Sequence, residues 1–458
     1  MNSSTLQALQ EKLRGPLITP EHTDYDAARA VYNGMINKRP AAILPVSQVA
    51  DVISAVNFAR DAGMDIAVRG GGHSAPGFGT WDDGLVIDFV NRRGVRVDPA
   101  AATARAEAGT TWADFNHATH AFGLATTGGI IGSTGVAGLT LGGGIGYLSR
   151  KYGLSCDNLK SADVVTADGR FLVASATENE DLFWGLRGGT GNFGVVTSLE
   201  FNLHPVDIVY GGVVIYLLEH VEAVGQLYRE TLASAAEELG IFLGVHQGPE
   251  VPFLPAEYHG RPVVVIVGGW TGPQDEGPRQ WQPFLDVAPV AGSFVGPLPY
   301  PVLNTLFDES LPKGLQAHWK AEFLPTMSDE VIKVAKHFGE GVPSPQTANH
   351  FYAINGAVQR VPKDATAFPY RDADIAAVIA GMWEDPAHNE ANVRWVREYS
   401  TALHEHSSGG AYINFMDADD QSRIKDNYAG NYERLASIKA KYDPDNLFHI
   451  NQNIKPAV

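Results

Sequence analysis

The chain holds a single cysteine, Cys156, among 458 residues. One thiol excludes an internal disulfide and any cysteine-based metal cluster. No Lys/Arg-rich run occurs, and 34 basic side chains stand against 52 acidic ones, for a net charge of −18. Nucleic-acid binders need a basic footprint to neutralise phosphates, so neither nucleic acid nor an anionic membrane surface is an expected partner. No stretch approaches the roughly 18 apolar residues needed to span a bilayer. Residues 1–20 carry Glu11, Lys12 and Arg14 and no apolar core, which does not read as a secretory signal; a cytoplasmic location is expected. There is no H-E-x-x-H and no clustered His/Asp set, so no metal site is expected. The phosphate loop G-x-x-x-x-G-K-[ST] is missing too, which argues against a nucleotide triphosphatase.

Glycine, in contrast, is abundant. The 49 glycines concentrate between Gly70 and Gly146, and glycine is placed where backbone must turn sharply or approach a ligand closely. Around them the chain alternates short elements. Residues 47–62 read as a helix with Ser47 at its N-cap and Gly63 at its end. Strands are predicted at 65–69, 84–90, 94–97 and 103–108. Thr111 with Asp114 opens a helix to about Phe122, and 162–166 with 171–174 form a hairpin around Ala167-Asp168-Gly169. From Val206 the texture changes: 208–217 and 262–268 are strand-like, 221–236 and 329–338 helical, and Pro and Gly interrupt 272–301. A last helix carries Tyr432, Leu435, Ile438 and Lys439 before the turn Asp443-Pro444-Asp445-Asn446. The expected fold class is α+β, with domains at 1–205 and 206–410 and a C-terminal segment, 411–458, returning to the first.

Two glycine segments carry the chemistry. Arg69 leads into Gly70-Gly71-Gly72-His73-Ser74, where successive N–H groups can form an anion-binding concavity and Arg69 adds a charged donor suited to phosphate. No helix with G-x-G-x-x-G spacing follows that strand, so the loop is not a Rossmann fingerprint. The second segment runs from Gly128 to Gly146. Its interspersed Ile130, Ile131, Val136, Leu139, Leu141 and Ile145 demand burial, which excludes a loose linker. Two such loops separated by strands suggest a dinucleotide held by backbone groups.

These loops occur together with Lys151-Tyr152-Gly153-Leu154-Ser155-Cys156-Asp157-Asn158, Asn192-Phe193-Gly194-Val195-Val196, and Asp443-Pro444-Asp445-Asn446-Leu447-Phe448 with Asn451 to Ile454. In this ordered set the chain resembles the berberine-bridge-enzyme-like FAD-linked oxidases of the vanillyl-alcohol-oxidase superfamily, from about Tyr25 to Pro456. The resemblance implies a two-part FAD-binding domain of the PCMH type and a substrate domain with a large antiparallel sheet flanked by helices. It implies that His73 forms an 8α-histidyl bond to FAD. Ile131 stands where many relatives have a second linking cysteine, so a single covalent link is expected. Arg69, Gly70, Gly71, Gly72, Ser74 and Gly77 are expected about the pyrophosphate; Ser133, Thr134, Gly138, Gly142 and Asp157 along the FAD; and Gly194 and Val195 near the adenine. Asn414 is expected against the isoalloxazine, with Asn451 and Asn453 closing the pocket.

Catalysis by such an enzyme needs a group that takes an O–H or N–H proton as hydride leaves. The resemblance points to Tyr412, activated by a neighbouring base or cation, although Phe415 replaces the family's second tyrosine. Trp319, Lys320, His350, Tyr352 and Asn355 are expected near the substrate. The resemblance also implies that Thr134 matches the position that admits oxygen in relatives, where its valine-like volume favours an oxidase. The expected function is oxidation of a small alcohol, sugar or amine with release of H2O2. The alternatives are oxidative tailoring of a secondary metabolite, a dehydrogenase using another acceptor, or a flavin-binding protein without catalysis.

Overall fold

The strand Ile66–Arg69 delivers the chain directly into the triple-glycine loop. It lies at one edge of a three-stranded parallel sheet with Leu85–Asp88 central and Ala42–Pro45 opposite. The computed structural model describes residues 3–458. The helix packed on this sheet spans Val49–Ala62 and ends at Gly63, whose φ of 61° closes the last turn. It starts two residues later than the sequence suggests, because the Asp51 carboxylate accepts the amides of Ser47 and Gln48. A second, antiparallel sheet of five strands runs in the order 95–98, 103–107, 195–202, 159–165, 171–175. The helix Trp112–His120 and the hairpin around Gly169 are where the residue pattern puts them.

The remaining large element is a seven-stranded antiparallel sheet, in the order 292–299, 208–217, 262–270, 239–247, 348–353, 375–383, 316–324. Residues on a strand alternate between its faces, and here the two faces have different fates. Val214, Tyr216, Ile241, Leu243, Phe351 and Ile379 pack under the helices Val221–Ser234, Asp329–Gly339 and Asn389–His404. Phe242, Trp319, Tyr352, Val378 and Ala380 turn the other way, toward Ile130, Ile145 and Tyr147 of the second glycine segment. The sheet is therefore a wall between a helical layer and the glycine-rich part of the molecule.

The C-terminal residues close the structure. Leu435, Ala436, Ile438 and Tyr442 of the helix Tyr432–Tyr442 share one core with Phe183, Phe193, Val195 and Leu199. Lys439 and Asp443 are wholly buried there, with Nζ 2.5 Å from the carboxylate. Lys439 also donates to the carbonyls of Asn192 and Phe448, and Asp443 accepts the amides of Leu447 and Phe448. Among the described residues no helix is long and apolar enough to cross a membrane.

Candidate cofactor and substrate site

A cavity of about 330 Å³ lies where the first glycine loop, the second glycine segment, the large sheet and residues 412–416 and 448–452 meet. The two glycine loops touch each other back to back. A Cβ on Gly135 would come within 2.5 Å of the Gly71 amide nitrogen, and one on Gly71 would strike Gly135 in return. Much of the glycine is thus demanded by the protein's own packing, before any ligand is considered. Gly138 and Gly191 differ: both line the cavity, yet a Cβ on either would meet no protein atom. Space for a side chain at these two positions is left to something bound.

His73 stands at the wall of this cavity, half-buried. Its ring stacks on Tyr32, with centroids 3.9 Å apart and planes 19° from parallel. Nε2 lies 3.0 Å from Ser133 Oγ, and Nδ1 lies 3.4 Å from Thr134 Oγ1. Desolvation lowers its pKa to about 3, with the positive charge of Lys313 acting in the same direction and the Ser133 backbone opposing. The imidazole is therefore neutral at physiological pH and has a lone pair to offer.

Gly70, Gly71, Gly72, Ser74, Thr134, Gly138, Gly194, Asn414 and Asn451 all line the cavity, as do Tyr412, Trp319, His350 and Tyr352. The other expected residues have partners of their own within the protein or lie off the cavity. Arg69 also lines it, but its charge is answered by Asp88 at 2.6 Å, and its buried Nη1 has no partner. Gly77 forms a turn beside Ile36, and Gly142 makes room for the Asn414 side chain. Ser133 orients His73 without lining the cavity. Asp157 holds Arg371 through two bonds of 2.7 and 2.8 Å. Val195 points into the core while its neighbour Val196 faces the cavity, and Asn453 lies outside it.

On the substrate side, Lys320 and Asn355 do not reach the cavity. Lys320 is on the opposite face of its strand from Trp319 and pairs with Asp419 at 2.5 Å and Asp420 at 2.8 Å. His318 on that same face meets Asp417 at 2.9 Å. Together these pairs fasten the segment that carries Tyr412 and Asn414 to the edge of the sheet. Asn355 accepts from Arg150 and donates to the Leu232 carbonyl. Conversely, Tyr32, Thr190 and Gln452 line the cavity without having been singled out. Tyr32 follows Val31 in an unpatterned stretch, so nothing in the sequence marks it.

Tyr412 is buried, and its hydroxyl oxygen accepts N–H bonds from Gly144 at 3.0 Å, Ile145 at 3.2 Å and Asn414 at 2.9 Å. Burial pushes its pKa up to about 12 despite those three donors. The activating base or cation expected for it is not among these partners. Cys156 is also buried, and does not line the cavity.

A two-part α+β frame, a large antiparallel wall and a glycine-lined cavity with a neutral histidine describe an FAD-linked oxidoreductase. The comparisons agree. Residues 40–175 match a family model described as FAD binding domain, and residues 411–455 match one described as berberine and berberine like. The chain is 31% identical over 454 residues to YgaK of Bacillus subtilis, an uncharacterized FAD-linked oxidoreductase, covering 97% of this chain and 98% of that one. It is 29% identical over 455 residues to (R)-6-hydroxynicotine oxidase of Paenarthrobacter nicotinovorans, covering 97% of each. The crystal structure of 6-hydroxy-D-nicotine oxidase from Arthrobacter nicotinovorans superposes with a TM-score of 0.86 at 26% identity, over 97% of this chain and 98% of that one. The chain belongs to the berberine-bridge-enzyme-like FAD-linked oxidoreductases.

The free space at Gly138 gives the cofactor fit a direct test. Gly138 sits in the short helix Val136–Leu141, where replacing glycine costs nothing in backbone terms and gains up to about 1 kcal/mol. Gly138→Val is expected to fold as the parent does while losing flavin absorbance from the purified protein. Wild-type flavin content in that variant, measured at 450 nm, would place the cofactor elsewhere.

Proposed function

We propose that this protein is an oxidase that holds FAD through one covalent bond to His73 and oxidises a small, largely apolar, ring-bearing alcohol or amine, passing electrons to O2. The observation that carries the reading is His73 itself, a desolvated neutral imidazole stacked on Tyr32 at the edge of the glycine-lined cavity. When bound, the flavin supplies the acceptor for a hydride and, on reoxidation by O2, H2O2. A second link is not expected, because Ile131 lines the cavity where a cysteine would have to stand.

The walls argue for the substrate class. Ile131, Trp319, Val378, Ala380, Met382 and Phe415 face the cavity, and Trp319 and Phe415 are themselves in ring contact, with centroids 5.3 Å apart. A sugar requires many hydrogen-bonding partners, because a buried hydroxyl left unpaired costs roughly 1–3 kcal/mol. Few are offered here. The indole N–H of Trp319 is buried without a partner, a donor for one substrate oxygen or nitrogen. The similarity to a 6-hydroxynicotine oxidase supports the same class. Peroxide release should therefore appear on screening 6-hydroxynicotine, benzylic alcohols and cyclic amines, and stay at background with glucose and xylobiose. Turnover of the sugars alone would overturn the substrate class.

The perturbed histidine gives a pH signature. The reactive, neutral form of His73 persists above its folded-state pKa of about 3 and is lost only as pH falls through that value. Covalent attachment on mixing flavin-free protein with FAD is expected to be level from pH 8 down to pH 5. A decline centred near 6.5, the value of a solvated imidazole, would show that water reaches the ring.

A further inference from the structure

Strand alternation sets three ring-bearing side chains in a row on the cavity face of the large sheet. His350 and Tyr352, two residues apart on Ala348–Ala353, both line the cavity. His246 projects from the adjacent strand Leu239–Gln247, in which Gly244 is paired with His350. A Cβ on Gly244 would lie 2.6 Å from His246 Nε2. Glycine at that register position lets the His246 ring lean back across its own strand to reach His350. Tyr352 Oη is 2.6 Å from His350 Nδ1, and His350 Nε2 is 2.9 Å from His246 Nε2. Tyr352 and His350 are buried, whereas His246 is half-buried against Phe307. The row thus leads from the cavity toward the outside.

Tyr412 offers no such route. A hydroxyl oxygen has two lone pairs, and the Tyr412 oxygen already faces three N–H donors. As a neutral phenol it has no room to accept a proton from a substrate. The Tyr352 oxygen instead lies 2.6 Å from a ring nitrogen that can take its proton in one of the two tautomers of His350.

We propose that Tyr352, His350 and His246 form a proton relay in which Tyr352 takes the O–H or N–H proton of the substrate. This deepens the oxidase reading and rests on it. At the start the Tyr352 hydroxyl donates to His350 Nδ1, and His350 Nε2–H donates to His246 Nε2. The substrate proton moves to the Tyr352 oxygen as the Tyr352 proton moves to His350 Nδ1, and the His350 Nε2 proton moves to His246. One proton is transferred in total, His246 becomes the cation, and water takes the proton from there. The electron pair of the breaking C–H bond leaves with the hydride to the bound flavin. Burial holds Tyr352 well above an ordinary phenol, so a bare phenolate is avoided by handing its proton on in the same step. Both imidazoles must begin neutral. Burial lowers His246 to about 4 and, together with His246, lowers His350 well below its usual value.

The test has two arms. Proton-nitrogen NMR of the holoenzyme labelled with ¹⁵N-histidine, assigned with His350→Gln and His246→Gln, reads the tautomers without any substrate. The relay predicts a proton on His350 Nε2, slow to exchange, and none on His350 Nδ1; Gly244→Ala should abolish the slow exchange by crowding His246 away. A proton on His350 Nδ1 overturns the proposal, whatever the substrate proves to be. In the second arm, anaerobic flavin reduction by 6-hydroxynicotine, or by whichever screened amine or alcohol is turned over, should slow at least a hundredfold in Tyr352→Phe. It should slow about tenfold in His246→Gln, with KM and flavin content unchanged. Reduction at the parent rate in both variants overturns the relay. A relay signature in the NMR arm, with no screened compound turned over, would overturn the substrate class instead.

Discussion

His73→Ala should yield a folded protein whose flavin is entirely released by acid precipitation, while the parent pellet stays yellow. The side chain is half-buried and contributes a ring stack on Tyr32 and two bonds, to Ser133 and Thr134. Truncating it therefore costs little of the core, and both hydroxyls remain free to meet water. What disappears is the neutral imidazole that stands beside the two glycine loops at the cavity wall. Mass spectrometry of the peptide bearing residue 73 provides the second readout, with an FAD-sized addition in the parent and none in the variant. Colour retained by the His73→Ala pellet would mean that another residue forms the bond.

Lys439→Met should lower the free energy of unfolding by about 3–5 kcal/mol, the usual consequence of leaving one partner of a buried ion pair alone. Both partners are wholly buried. Burial holds the Lys439 pKa below that of a free lysine even with Asp443 beside it, so the pair is a weak net source of stability. Its removal is costly for a different reason. The methionine would leave the Asp443 carboxylate and the carbonyls of Asn192 and Phe448 without their shared donor. Asp443→Asn should be costly as well, because Leu447 and Phe448 donate to different carboxylate oxygens and a single amide oxygen can serve only one of them, while the Lys439 charge loses its partner. Denaturant titration followed by tryptophan fluorescence would check both. A midpoint for Lys439→Met within error of the parent would show that the tail is not fastened through this residue.

The pattern of residues was enough for the class of fold and for the loops that make the cavity, because glycine runs, caps and turn residues act locally. Thr111 with Asp114, Gly63 and the Asp443 turn are cases where one or two side chains decide the backbone. The large sheet was harder to read. Its strands at 239–247, 316–324, 348–353 and 375–383 are buried on both faces, so their apolar residues do not alternate with polar ones. The helix Gly277–Asp286 was hidden by Pro278 and Pro283, the first tolerated near a helix start. The same loss of alternation hides that Lys320 faces away from the cavity, whereas Asn355 lies in the loop that follows the strand 348–353. Which face of a strand a residue takes depends on what covers each face, and that is decided by partners far away in the chain. Tyr32, some forty residues before His73, and the link from His350 to His246 are of this long-range kind.

Because Gly71 and Gly135 abut through bare backbone, and Asp308 fixes the Gly132 amide at 2.7 Å, neither loop needs a guest to hold its shape. A dinucleotide entering the cavity beside them meets a mould already set. The entropy of ordering those segments is spent during folding rather than at the binding step. Affinity for a cofactor fragment such as ADP should then change little with temperature-driven loosening elsewhere.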